Sequence, residues 1–371
     1  MPGSLRRVTL QVPEIHVLQR PTPATQKVSV TERAHEAPPK EVSDVRKFLM
    51  ARGNSAFADR VFRVLMVTCA LSIFGIVLLI LSELILRSDL AWNKFGFHFF
   101  FMPPAHDSYS GQPTYWDPVN GHFSALPFVY GTLVSSLLSL LIAVPLAIGL
   151  AIFLTEMCPR FLRGPLAFIT ELLAAIPSII YGMWAFFILV PLLRDYVNPL
   201  VVKYLGWTKL FVDDNPTGLG YVAAAVILAI MILPVISSLT REVMTAVPHS
   251  QREAVLALGA TRWEMIRMGV LRNARIGIVG AVILGLGRAV GETMAVAMVI
   301  GNTPAISKSL LANGSSMASV IANEFAEAAG DLHRSALIEI GLALFIVTIL
   351  VNALARILVW MVTRGTPASA H

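Results

Sequence analysis

Six apolar stretches, at roughly 61–86, 129–154, 165–190, 219–240, 276–301 and 336–362, constrain this chain more than any other feature. Each reaches the 20 or so residues needed to cross a bilayer. Inside lipid no water answers a backbone N–H or C=O, so such a segment must satisfy its own, as a helix does. The expected fold class is all-α, a polytopic membrane protein with six transmembrane helices. The 371 residues are 56% hydrophobic and 14% charged, where soluble domains run at about 25% charged.

Residues 1–60 break the pattern. They carry charges, prolines (among them Pro13, Pro21, Pro23, Pro38 and Pro39) and no long apolar run. They read as a disordered cytoplasmic tail ahead of a transmembrane domain over 61–364. With no signal-peptide apolar core, the first span is expected to stay uncleaved. Cys69 and Cys158 fall in or beside apolar segments and read as small buried hydrophobes. Their number gives no metal spacing and no disulfide framework.

An even number of spans puts both termini on one side, and basic residues indicate which. Segments 1–63, 155–164, 241–275 and the end from Arg356 hold 21 of the 29 Lys and Arg. The opposite loops hold seven, and Arg288 is the remaining one. Both termini are therefore expected to be cytoplasmic. The loop at 87–128 gathers Trp92, Phe95, Phe97, Phe99, Phe100, Phe101 and Trp116. Such a cluster suits headgroup anchoring or a receiving surface for a partner. Pro145, Pro177 and Pro234 sit inside spans, where each frees a carbonyl and favours a kink.

The loop before the fifth span carries two S/T-x-x-E patterns, Ser250 to Glu253 and Thr261 to Glu264, flanking Gly259. Each is the spacing of a reciprocal helix-capping box. The expectation is helix, break, helix, with Gly259 as the break. Val255, Leu256 and Leu258 read as one apolar face, continued by Trp263, Ile266 and Val270.

The fifth span holds the feature that most needs explaining. Arg288 lies 12 residues into it, roughly 18 Å at 1.5 Å per residue and close to mid-membrane. Arg288 and Glu292 are one turn apart and are expected to share a face, with Gly291 and Ala295 on it too. Gly287 and Gly291 make a G-x-x-x-G spacing that leaves room for a neighbouring helix or a solute. A charge at the bilayer centre costs about 2.5–3.5 kcal/mol on insertion scales. Two readings of the pair stand: a self-neutralising structural ion pair, or a site for something that crosses the membrane.

The loop resembles the E-A-A…G loop of bacterial ABC-importer permeases. Glu253, Ala254 and Gly259, six positions after the glutamate, match it. Val255 stands where that family usually has Ala, and Leu271-Arg272 where it often has Leu-Pro. Downstream, Gly287-Arg288-Ala289-Val290-Gly291-Glu292-Thr293-Met294-Ala295-Val296 resembles the phosphate-specific subgroup, the PstC-type subunit in particular. So do residues 123–132 and 171–182. The resemblance covers about 60–362 and implies the ABC-importer permease fold in a bacterial plasma (inner) membrane.

It also implies that the loop at 250–268 docks on an ATPase through Glu253, Ala254 and Gly259. Arg288, Glu292 and Thr293 would line the substrate pathway. A guanidinium offers a fork of donors to an oxyanion's edge, and a carboxylate can accept from a protonated phosphate oxygen. A Thr293 hydroxyl bonding back to its own helix is an equal reading. The implied partners are a second permease (PstA-type), an ATP-binding dimer (PstB-type), an extracytoplasmic phosphate-binding protein (PstS-type), inorganic phosphate and the lipid bilayer, with no nucleic acid. No lysine follows a glycine, so the chain holds no phosphate-binding G-x-x-x-x-G-K-[ST] loop. Cofactors are expected to be none here, with ATP and Mg in the partner ATPase. A secondary anion transporter or channel would use the same Arg288–Glu292 site without an ATPase. An intramembrane enzyme is disfavoured by the lack of a catalytic or metal constellation.

Overall fold

The computed structural model describes residues 55–106, 113–212 and 215–363. The expected tail over 1–60 lies outside them up to residue 54. The chain divides into two compact units, Met1–Ile73 and Phe74–His371. In the first, the described residues are the start of helix α1 (Ser55–Arg87), with every side chain from Phe57 to Ile73 exposed.

The second unit holds the rest of α1 and five further helices of span length. After α1 come a short helix, Asp89–Phe95, and two small antiparallel sheets, Ala105–His106 with Pro113–Thr114 and Trp116–Asp117 with His122–Phe123. Helix α2 (Leu126–Ile152) passes through Pro145 and ends in a wide π-helical turn, Phe153–Met157. Helices α3 (Arg160–Ala175) and α4 (Ser178–Trp184) follow, the latter continuing in helical turns to Leu205. Helix α5 (Tyr221–Thr245) carries Pro234 without a break. Beyond it lie α6 (His249–Ala257), α7 (Arg272–Val290), α8 (Met294–Val299), α9 (Met317–Glu324) and α10 (Asp331–Thr363).

Among the described residues six helices are long and apolar enough to cross a membrane, but two are displaced from the sequence reading. The third runs Ser178–Thr208 rather than 165–190. Pro177 has no N–H and crowds the residue before it out of helical geometry. Ile176 is accordingly extended, with ψ 131°. The Tyr181 hydroxyl donates to the Leu173 carbonyl at 2.8 Å, answering an acceptor at the broken end. Helix α3 becomes a separate piece, its Glu171 taking Arg241 Nη2 of α5 at 2.6 Å. The fifth span runs Arg262–Val290 rather than 276–301.

α5 is the most buried span, packed against α2 and α7. Their contact is built from Ala143, Ala147, Ala229, Ala281 and Ala289 around Ile232 and Ile236. Small residues let helix backbones approach closely where lipid gives no hydrophobic drive. Residues 300–316 fold over the start of α5, where the first N–H groups of a helix lack partners. Tyr221 N and Val222 N donate to Ala312 O and Leu310 O at 3.3 and 3.1 Å. The Tyr130 hydroxyl holds Ser307 O at 2.9 Å. A Cβ on Gly131 would stand 2.0 Å from Ser315 O, so only glycine lets this segment cross α2.

The aromatic loop divides between a core and an exposed face that includes Trp92. Phe99, Trp116, Phe123 and Phe128 are buried in a core with Met317, Leu337 and Ile340. Phe97 and Phe101 remain exposed. Glu339 is 1% exposed and neither carboxylate oxygen has a partner among the described residues. Cys158 is buried as expected, whereas Cys69 is exposed.

Candidate functional site: an intramembrane arginine groove and an end loop

α7 and α10 pack beside each other and leave a groove of about 1250 Å³. Arg288 opens into it, with Gly287, Thr348, Asn352 and Arg356. Gly287 keeps the wall low: a Cβ there would lie 4.0 Å from Asn352 Oδ1. The Arg288 side chain is exposed, and among the described residues no carboxylate pairs with it.

Arg288 and Glu292 do not share a helical face. α7 stops at Val290, and residues 291–293 are not helical. Glycine is the weakest interior helix former after proline, and Gly291 sits at the stop with φ −90° and ψ 3°. Glu292 then serves the next helix: its Oε1 accepts from Ala295 N at 3.3 Å, at the start of α8. A carboxylate suits that place, where free N–H groups and the helix dipole favour negative charge. Thr293 Oγ1 donates to Gly291 O at 3.4 Å, within the break and not back into a helix as one reading had it. Ala295 is fully buried, so the expected small-residue face is split by the break. The groove therefore holds Arg288, while Glu292 and Thr293 stand in the adjoining break. Sequence periodicity assumed an unbroken helix and missed this; the Gly291 signal was present but read as spacing.

The end loop keeps the expected helix, break, helix. α6 ends at Ala257, and Gly259 adopts φ +83°, a left-handed conformation that L side chains resist. Thr261 then caps the next turn: Glu264 N donates to its Oγ1 at 3.3 Å, and Thr261 N to Glu264 Oε2 at 2.8 Å. The first expected box does not form. Pro248, extended at ψ 141°, precedes the helix, which puts Ser250 inside its first turn with no capping bond. The apolar face also divides. Val255, Ile266 and Val270 pack inward, whereas Leu256, Leu258 and Trp263 stand exposed beside exposed Glu253 and Ala254.

One residue that holds this loop was not foreseen. Arg252, buried in α6, donates to Val247 O at 2.6 Å and Met244 O at 2.8 Å. It also meets Glu156 Oε1 at 3.2 Å, in the wide turn after α2. A single Arg in a basic loop gives no sequence signal of burial, since arginine is almost never fully buried unless paired.

Residues 143–365 match the family described as binding-protein-dependent transport system inner membrane component. This chain belongs to that family. It is a multi-pass inner-membrane transport subunit of the ABC-importer permease type, not an enzyme. The phosphate transport system permease protein PstC of Mesorhizobium japonicum is 44% identical to it over 319 residues, covering 84% of this chain and 93% of the relative. PstC of Haemophilus influenzae is 42% identical over 309 residues, covering 82% and 94%. A solved inward-facing MetNI methionine ABC transporter overlaps 63% of this chain and 92% of its own, at 20% identity and TM-score 0.43.

Proposed function

We propose that this chain is the PstC-type permease of an ATP-driven importer that carries inorganic phosphate across the bacterial inner membrane. The observation that carries the reading is the likeness to phosphate transport permeases over more than nine-tenths of their length. A carboxylate-free arginine opening on an intramembrane groove is the chemistry such a cargo requires. In this reading both termini, with the domain 61–364 between the tail and the end, face the cytoplasm. The partners are a PstA-type permease, a PstB-type ATPase dimer holding ATP and Mg, and a PstS-type binding protein outside.

Each residue then has a task. Arg288 offers its planar donors to phosphate oxygens. Glu292 uses one oxygen to cap α8 and offers the other to a protonated phosphate oxygen. Thr293 orients the break between them. Glu253, Ala254 and Gly259, with the exposed Leu256, Leu258 and Trp263, form the face on which the ATPase docks. Alternating access follows when nucleotide-driven movement of that face is passed into α7.

Cells lacking only this chain should lose binding-protein-dependent uptake of labelled phosphate and regain it when the chain is restored. Unchanged uptake in the deleted strain, with the partner subunits present, would contradict the assignment.

A further inference from the structure

The groove holds a second guanidinium. Arg356 lines it with Arg288, and Asn352 and Thr348 stand on the same helix, α10. Among the described residues the lining contains two arginines and no acid. Among the described residues neither arginine has an ion-pair partner. An arginine near a span's end that only snorkels toward headgroups needs no polar company. This one has it.

Asn352 fixes the level. Its Oδ1 faces Gly287, the neighbour of Arg288. Arg356 is one turn further along α10, about 6 Å at 1.5 Å per residue. Asn352 Nδ2 donates to Thr348 O at 2.9 Å, which occupies one of its two amide hydrogens. Thr348 Oγ1 donates to Leu344 O at 2.7 Å, so its lone pairs remain able to accept. Along this stretch of α10 the groove therefore offers a fork of charged donors on Arg356, one free amide hydrogen on Asn352, and acceptor oxygens on Asn352 and Thr348. That set fits a tetrahedral oxyanion that still bears a proton.

We infer that Arg356, Asn352 and Thr348 form a second oxyanion station, which receives phosphate after Arg288 and passes it toward the end of α10. The inference rests on the phosphate-importer reading. Two stations in series solve a physical problem: one deep cationic site that binds strongly releases slowly, and a second lets the anion leave by exchange. A headgroup phosphate of an anionic lipid has the same chemistry, so the test must separate lipid from free phosphate.

The complete importer is reconstituted in phosphatidylcholine vesicles as wild type, Arg356→Gln, Arg356→Lys and Asn352→Leu. Arg356→Gln should lower the maximal rate of phosphate uptake about tenfold, the worth of one lost contact of about 1.4 kcal/mol. ATPase stimulation by loaded binding protein should persist, and Arg356→Lys should recover part of the rate. A structural role would move uptake and ATPase together and would overturn the station. So would uptake by Arg356→Gln at the wild-type rate. Separately, inorganic phosphate should slow modification of Arg356 by an arginine-specific dicarbonyl, read by peptide mass mapping. Protection that appears only with added phosphatidylglycerol, and not with inorganic phosphate, would assign the site to lipid and overturn the proposal. Loss of uptake in the wild type would overturn the importer reading itself, while the protection result would still stand or fall on its own.

Discussion

At the scale of single residues, Arg288 and Glu292 divide the work. Among the described residues no carboxylate pairs with Arg288, which opens on a groove; Glu292 is engaged by the N-terminus of α8. Breaking a hydrogen bond to a charged group costs about 1.5–3 kcal/mol, roughly ten- to hundredfold in rate. Arg288→Lys, which keeps charge and loses the fork, should therefore slow uptake by at least tenfold, and Arg288→Gln should do no better. Glu292→Gln retains an oxygen for Ala295 N, so the protein should fold normally while losing preference for phosphate over sulfate, which has no proton to offer near neutral pH. Glu292→Ala removes the cap as well, at a cost of about 1 kcal/mol. Thermal unfolding of the purified complex should separate the two variants: unchanged melting for Gln, lowered melting for Ala. Equal melting of both would mean that the Ala295 bond contributes nothing.

At the scale of elements, the loop between α5 and α7 owes its shape to two residues of opposite visibility. Gly259 was legible because a glycine after an apolar run and before a capping box has few other meanings. Arg252 was not, because burial of a charge depends on Glu156, 96 positions away. Removing one partner of a buried pair costs about 3–5 kcal/mol. With side chains about 10% exposed, Glu156→Ala should fall at the low end and release α6 from α2. The measure is ATPase that loaded binding protein no longer stimulates. Gly259→Pro should uncouple as well, because φ +83° is unreachable for a ring fixed near −65°. Gly259→Asn should be tolerated, since nothing lies within 4 Å of the added Cβ and asparagine visits left-handed geometry. If Gly259→Pro couples as well as wild type, the bend has no part in transmission.

At the scale of the whole molecule, length and hydropathy alone foretold six spans and the all-α class. What they could not place were the breaks. Pro177 and Gly291 each end a helix that periodicity would have continued, because whether a breaker kinks or stops a helix depends on neighbours that answer the freed groups. Tyr181 does so at the first break and Glu292 at the second. The buried aromatics at 99–128 were equally hidden, since one composition serves a lipid interface and a core. Orientation is a separate expectation, carried by the basic loops. A reporter active only outside the cytoplasm should be active when fused near Asn215 and silent near Ser250. The opposite pattern would move the docking loop to the wrong side for an ATPase.

The central claim is that an intramembrane arginine in this subunit carries phosphate under the drive of a separate ATPase. The most direct test is uptake of labelled phosphate by vesicles containing the complete importer, with loaded binding protein on one side and ATP on the other. Wild-type vesicles should accumulate phosphate only when both are present, and Arg288→Lys vesicles at matched protein level should show at least a tenfold slower rate. Accumulation without ATP, or an unchanged rate in the Arg288→Lys vesicles, would contradict the account.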